Sequence, residues 1–275
     1  MRMSIASKTA RDPCLVFLVA AVLGAGCSTA IAAPAPPAKS QPNTVSDLVP
    51  TAQGPLRITP LFHGSVMLQL GAEVIYVDPW SAADYTGLPK ADVILVTHTH
   101  ADHLDLPMIR ELHKPGVVIG GSDAVLDTLN CSPDCGDLAP VGVGRTTTIK
   151  GVNVEGVAMY NTVERPGGGP PYHHKGVGQG FLLTIGGVRI YFSGDSDCTD
   201  EMKALKKVDI AFVAMNPPRT MSTVEAARCV KVFRPRVVYP YHYRGSKTSD
   251  FADALKGETG IEVRLRNLEG EPSAP

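Results

Sequence analysis

The sequence predicts an α/β fold in which two mixed β-sheets pack face to face with helices on their outer sides. Three observations point there. Short β-branched and aliphatic runs fall into two clusters, and in each cluster strand follows strand before the pattern changes to strand–helix alternation. Chemistry-bearing residues recur where those runs stop: Asp78, His98 to His103, Asn161, Asp195 and His242. The length of 275 residues, 44% hydrophobic and 19% charged, suits one domain with a full core.

The first residues are set apart from that domain. Arg2, Lys8 and Arg11 precede an apolar run, Leu15 to Gly24, that is too short to span a bilayer. Ala30-Ile-Ala32 offers a small-residue cleavage site. Residues 1–32 therefore read as a signal peptide, and the mature protein is expected to be exported, periplasmic or secreted. A second processing route stays open: Leu23-Gly-Ala-Gly-Cys27 resembles a lipoprotein box, which would anchor the protein to a membrane through a lipid on Cys27. Residues 33–53 are rich in Pro, Ala and Ser without apolar period and read as a disordered tether. The domain is expected over 54–270.

Within it, Leu56 to Phe62, Ser65 to Leu70 and Glu73 to Val77 read as strands, the first two broken by His63-Gly64. Val93 to Val96 is a short, uninterrupted interior strand. Leu106 to His113 is a helix, with Asp105 as N-cap and Pro107 in the first turn. Val117 to Gly120 and Asp123 to Leu129 form a strand and a helix. Thr146 to Lys150 and Val152 to Met159 pair closely, and Phe181 to Ile185 and Val188 to Phe192 flank Gly186-Gly187 as a hairpin. A helix near Glu201 to Lys206 leads to strand Ile210 to Ala214. Ser222 and Glu225 make a capping box for a helix ending at Phe233. Val237 to Tyr239, a helix over Ser249 to Lys256 and Ile261 to Leu265 complete the chain.

The densest chemistry lies in Ala91-Asp-Val-Ile-Leu-Val-Thr-His-Thr-His-Ala-Asp-His-Leu-Asp105. His98 and His100 point the same way at strand spacing, and Asp102 and His103 occupy the following turn. A turn that only caps a helix has no use for three histidines. Imidazole and carboxylate together suit zinc, iron or manganese.

With Asp78 before it and Gly194-Asp195 and His242 after it, His98-x-His-x-Asp-His103 resembles the metallo-β-lactamase-fold hydrolase superfamily. The resemblance spans about residues 56–265 and implies a four-layer αββα sandwich. Val188-Arg-Ile-Tyr-Phe-Ser-Gly-Asp-Ser-Asp197 and Tyr239-Pro-Tyr-His242 look most like a bacterial group that includes ascorbate-phosphate lactonases and N-acyl-phosphatidylethanolamine phospholipase D enzymes. The resemblance implies one metal on His98 and His100 and a second on Asp102, His103 and His242. Asp195 would bridge both, with Asp78 and Asp105 behind them. Asp102 and His103 would be the catalytic residues. The chain departs from the pattern where a histidine should follow Met159: it has Tyr160-Asn161. Either Asn161 serves as a weak ligand or supporting group, or His173, less favourably His174, reaches in from the Gly/Pro loop.

Two cations about 3.5–4 Å apart can activate a shared hydroxide and polarise the scissile group. No Gly-x-Ser-x-Gly elbow offers a serine nucleophile. The expected function is metal-dependent hydrolysis, with two zinc ions expected and iron or manganese as alternatives, of an ester, lactone or phosphodiester in a small or lipid-like substrate. Lys175, Arg219 and Arg244 could take an anionic group. The alternatives are a mononuclear-iron sulfur dioxygenase-like enzyme and an exported metal-binding protein with a degenerate site. A net charge of -1 and the lack of a basic stripe give no reason to expect nucleic acid. Export favours disulfides; Cys131 and Cys135 are the best pair, while Cys198 and Cys229 either pair or stay reduced.

Overall fold

The computed structural model describes residues 45–129 and 136–270. The proposed signal peptide, Cys27 and the Cys131–Cys135 pair lie outside the described residues. The N-terminal half of the domain forms a seven-stranded sheet in sequence order. Its strands are β1 (Asp47–Thr51), β2 (Gly54–Phe62), β3 (Ser65–Leu70), β4 (Glu73–Val77), β5 (Val93–Val96), β6 (Val118–Gly121) and β7 (Asp137–Pro140). The C-terminal half forms a second seven-stranded sheet from β8 (Thr146–Ile149), β9 (Val152–Met159), β10 (Gly178–Ile185), β11 (Val188–Phe192), β12 (Ile210–Ala214), β13 (Val237–Tyr241) and β14 (Glu262–Val263).

The two halves share one topology. β1 to β4 are antiparallel neighbours, and β4 to β7 are parallel. In the same way β8 to β11 are antiparallel, and β11 to β14 are parallel. Parallel neighbours need crossovers, which a loop over 78–92 supplies between β4 and β5 and helices supply at the other five. These are α1 (Leu106–Leu112) and α2 (Asp123–Leu129) in the first half, and α3 (Asp200–Lys203), α4 (Thr223–Phe233) and α5 (Thr248–Leu255) in the second.

Strand alternation sorts the first sheet's side chains into two cores. Ile75, Val77, Val93 and Leu95 join Val154, Phe181, Leu183 and Ile190 of the other sheet in the larger core. Val74, Tyr76, Ile94 and Val96 point the opposite way, onto Met108, Ile109 and Leu112 of α1 and Val125 of α2. β5 is buried on both faces, as its unbroken apolar run requires. The architecture is the sandwich of two mixed sheets with flanking helices that the sequence predicts.

The expected tether runs too far. Asp47–Thr51 lies inside the predicted disordered segment, yet it pairs with β2 from Asp47↔Ile58 to Thr51↔Gly54. Its Pro50 is tolerated because β1 is an edge strand. Asp47 fastens it: the carboxylate accepts from Arg266 at 2.6 Å and from the Tyr239 hydroxyl at 2.7 Å, contacts over a hundred residues away that no local pattern announces. β7 is likewise unforeseen, and the third helix spans Asp200–Lys203 rather than Glu201 to Lys206.

The open choice for Cys198 and Cys229 resolves to a disulfide, Cα–Cα 5.7 Å, across 31 residues of sequence. It joins the loop after β11 to α4. Cys198, though three residues beyond Asp195, is therefore not free to ligate metal. In the chain-entropy account a loop of this size is stabilised by about 3–4 kcal/mol. Replacing both cysteines by serine should lower the denaturation midpoint accordingly in urea titrations. Reductant should lower the midpoint of the wild type by a similar amount and leave that of the double variant unchanged.

Candidate metal centre

The carboxyl ends of the parallel strands meet at one edge of the sandwich, where open α/β sheets leave a crevice. Asp78 follows β4, Thr97 and His98 follow β5, Asp195 lies just beyond β11 and His242 follows β13. The chain bends sharply there: Asp78 has φ 45°, His242 φ 46° and, in the β2–β3 turn, His63 φ 52°. Non-glycine residues in this region carry strain that a site must hold in place.

Asp78 is buried and organises the loop after β5. One carboxylate oxygen accepts from the Thr97 backbone N–H at 2.7 Å. The other accepts from the Thr97 hydroxyl at 2.7 Å and faces His103 Nδ1 at 2.8 Å. His103 Nε2 is thereby turned towards Asp195 Oδ1 at 3.3 Å. Asp105 acts one turn later: it caps α1 by accepting from Met108 N–H at 3.1 Å and ties down Ser81 N–H at 2.8 Å.

Two groups of donors form around Asp195. In the first, His98, His100, His173 and Asp195 present ligand atoms that all lie within 4.8 Å of one another. His98 Nε2 is 3.1 Å from His100 Nδ1, and His173 Nε2 is 3.2 Å from the same nitrogen. In the second, His103, Asp195 and His242 converge within the same limit. Asp102 Oδ2 stands 3.6 Å from His242 Nε2 and 3.3 Å from His63 Nε2. The structure thus brings together all seven predicted ligand residues, His98, His100, Asp102, His103, His173, Asp195 and His242.

The donor set fits divalent cations. Three imidazole nitrogens and a carboxylate oxygen facing one point cannot satisfy each other with the protons available, whereas a cation satisfies all of them. His103 Nε2, Asp195 Oδ1 and His242 Nε2 are buried and have no hydrogen-bond partner among the described residues. Such orphans are costly and call for an explanation. Protonation states agree at His98, His173, His242 and Asp195, whereas His103 would have to give up a proton to bind a cation. Burial pushes His98 well below the usual imidazole range, helped by the charge of His103, and burial pushes His173 down to about 4 and lowers His242. Burial opposes ionisation of Asp195, but the His242 and His103 charges outweigh it and hold that carboxyl low. For His103 burial opposes charge too, yet Asp195 and Asp78 raise it well above its ordinary value. Neutral imidazoles and ionised carboxylates are the forms that ligate metal.

The open question at Asn161 has a geometric answer. Its side-chain oxygen accepts from the His173 backbone N–H at 2.9 Å and lies 3.0 Å from His173 Nδ1. Its amide nitrogen donates to Arg219 O at 2.7 Å and to Asp197 Oδ1 at 3.2 Å. Both ends of the amide are used, so Asn161 orients His173 instead of replacing it. His173 is buried and His174 is exposed.

A cavity of about 380 Å³ opens over the centre, with Asp102, Tyr172, Asp195, Asn216, Arg219 and Arg244 among its walls. The expectation for Arg219 and Arg244 is thus met in position. For Lys175 it is corrected: the ammonium is taken up by Glu201 at 2.7 Å and lies over the Tyr160 ring, away from that lining. Sequence reasoning passed over His63, Thr97 and Glu269. His63 carried a weak signal, a histidine in a turn at this sheet edge; Glu269 carried none, because only tertiary contact brings it to His63.

The β-lactamase superfamily domain matches residues 57–242. A UPF0173 metal-dependent hydrolase of Cupriavidus taiwanensis is 30% identical over 88% of this chain and 93% of its own length. A crystal structure of a candidate metal-dependent hydrolase from Parabacteroides distasonis is 39% identical, with TM-score 0.74 over 82% of this chain and 99% of that one. The metallo hydrolase Igni18 from Ignicoccus hospitalis, 19% identical over 78% of this chain and 96% of its own, shares the fold with TM-score 0.65. Fold and site together define a metallo-hydrolase. The chain belongs to the β-lactamase superfamily and is one of its metal-dependent hydrolases.

His173→Ala should strip the first donor group of its metal, while His174→Ala should leave metal content unchanged. Asn161→Ala should weaken binding there by about 10–100-fold, the usual effect of losing a group that orients a ligand. Elemental analysis and metal-competition titrations on the three purified variants check this order.

Proposed function

We propose that the protein hydrolyses an ester, lactone or phosphodiester bond in a small or lipid-like substrate that carries negative charge. The observation that supports this most is the pair of donor groups sharing Asp195 beneath one cavity. In this reading His98, His100 and His173 would hold one cation and Asp102, His103 and His242 a second, with Asp195 in reach of both groups. Zinc suits this mixture of imidazole and carboxylate, and iron and manganese accept the same donors. When bound, the cations supply Lewis acidity and a water acidic enough to act near neutral pH.

The chain's own residues do the rest. Asp78 keeps His103 turned towards Asp195, and Asn161 keeps His173 turned towards His100. Arg219 and Arg244 stand on the cavity wall where an anionic substituent would lie. Arg219 sits over the Tyr172 ring at 5.6 Å and Arg244 over Trp80 at 5.9 Å, which limits the sweep of both guanidinium groups. Planar guanidinium groups bind phosphate or carboxylate through paired hydrogen bonds.

Export is part of the proposal. It rests on the basic and apolar segments of residues 1–32, and the Cys198–Cys229 disulfide fits an oxidising compartment. Among the described residues no helix is long and apolar enough to cross a membrane. N-terminal sequencing of protein recovered from outside the cytoplasm should begin at Ala33; a lipid-modified Cys27 would assign the lipoprotein route.

The function is tested by assaying esters, lactones and phosphodiesters with the metal-loaded protein. Chelation should abolish turnover and Zn2+ should restore it. With an anionic substrate, Arg219→Met and Arg244→Met should each raise KM by about 10–100-fold, the worth of a charge-assisted hydrogen bond. Wild-type protein carrying two metals but inert to all three substrate classes would sink the hydrolytic reading. A single tightly held iron with thiol-substrate oxidation would instead assign the dioxygenase chemistry.

A further inference from the structure

His63 is not among the residues that the superfamily pattern assigns to either cation, yet it is built like those that are. It is 1% exposed and sits in the turn between β2 and β3. Backbone bonds lock it on both sides. Its N–H donates to Leu268 O at 2.7 Å, and its carbonyl accepts from His242 N–H at 3.0 Å. The ring lies 3.7 Å from the His242 ring, centroid to centroid.

The ring nitrogens follow one plan across the site. In His103, Nδ1 is fixed by the Asp78 carboxylate at 2.8 Å, and Nε2 points at Asp195. In His173, Nδ1 is fixed by the Asn161 carbonyl oxygen at 3.0 Å, and Nε2 points at His100 and Asp195. In His63, Nδ1 is fixed by Glu269 Oε1 at 2.6 Å, and Nε2 points at Asp102 Oδ2 at 3.3 Å. Glu269 is itself held, since Oε1 accepts from Tyr243 N–H at 3.1 Å. A carboxylate gripping one imidazole nitrogen while the other faces the centre is the arrangement that orients metal-binding histidines.

The far side of the ring can act in two ways. A doubly protonated ring donates from Nε2 to Asp102 Oδ2 at 3.3 Å, whereas a neutral ring with its proton on Nδ1 presents a lone pair there, and a cation held between the two satisfies both atoms. Ligand atoms of His63, Asp102 and His242 all lie within 4.8 Å of one another. From this geometry we propose that His63, oriented by Glu269, is a further ligand of the second cation, which it shares with Asp102 and His242. The proposal rests on the two-cation reading above.

The test is a Zn2+ titration of the chelator-stripped full chain by calorimetry, with Co2+ absorption as a second readout. The wild type should take up two ions. His63→Ala should lose second-site affinity by more than the roughly 10–100-fold expected of Glu269→Gln, and leave first-site affinity unchanged. Its second-site Co2+ band should shift and change intensity with the loss of a nitrogen donor. An intact first site in the same variant reports an intact fold. Should His63→Ala fail to fold, Glu269→Gln decides alone, because it keeps the shape and removes only the charge that grips the ring. A wild type with two sites, and variants whose second-site affinity and Co2+ spectrum match it, would make His63 a structural tie and overturn the proposal. Uptake of fewer than two ions by the wild type would overturn the two-cation reading, and this proposal with it.

Discussion

The carboxylate of Asp195 is the charge that the rest of this molecule must answer. It is 2% exposed, and its Oδ1 has no hydrogen-bond donor among the described residues. Its own backbone N–H faces only the Met159 sulfur at 3.2 Å. An ionised carboxylate buried in this way costs several kcal/mol unless positive charge or strong donors surround it. Here His103 supplies charge at 3.3 Å, and the neutral rings of His173 and His242, each within 3.4 Å of one of its oxygens, complete the surroundings that a cation would occupy. Those three side chains come from three separate places in the sequence. The two-sheet fold is what brings them together, and the buried charge in turn specifies where each sheet edge must end.

That demand is passed outwards. An imidazole serves a cation only if its ring is held at the right angle, so each histidine needs a partner behind it. Asp78 stands behind His103, Thr97 behind His98, Asn161 behind His173 and Glu269 behind His63. Asp78 also binds Thr97 through both of its oxygens, so one side chain fixes the register of the whole loop after β5. Space is allotted as tightly as charge. A Cβ on Gly178 would lie 2.8 Å from His98 Cβ, so only glycine lets β10 pass this close to the centre.

What was legible in the sequence follows from the range of the interactions. β5, β4 and the β10–β11 hairpin are written in apolar runs of the right length, and the ligands next to them are adjacent in sequence to those runs. Asp105 and the Ser222–Glu225 capping box are local too, and both appear with the expected hydrogen bonds. β1 escaped because five residues with a proline carry little pattern, and its anchor is the distant pair Arg264 and Arg266. Glu269 escaped for the same reason: its partner lies 206 residues earlier. Lys175 misled because a lysine beside a ligand histidine reads as a substrate group, whereas Glu201, on α3, neutralises it.

In the two-cation reading, the missing histidine after β9 shows how a site can take a displaced ligand. A ligand at a strand end inherits rigidity from its sheet; one from a Gly/Pro loop does not, and must be given it. Asn161 does this by pairing with His173 along the backbone as well as the ring: its N–H donates to His173 O at 2.9 Å, and its side chain accepts from His173 N–H at 2.9 Å. Asn161 is then held by Asp197, which also accepts from Thr162 N–H at 2.7 Å. Asp197 precedes Cys198, and the disulfide ties that loop to α4. The loop histidine is therefore referred, through one amide, one carboxylate and one covalent bond, to α4, whose Ala226, Ala227 and Val230 are buried in the larger core. Asp197 is also two residues from Asp195, so the chain segment that carries the buried carboxylate also positions the His173 ring that faces it at 3.4 Å.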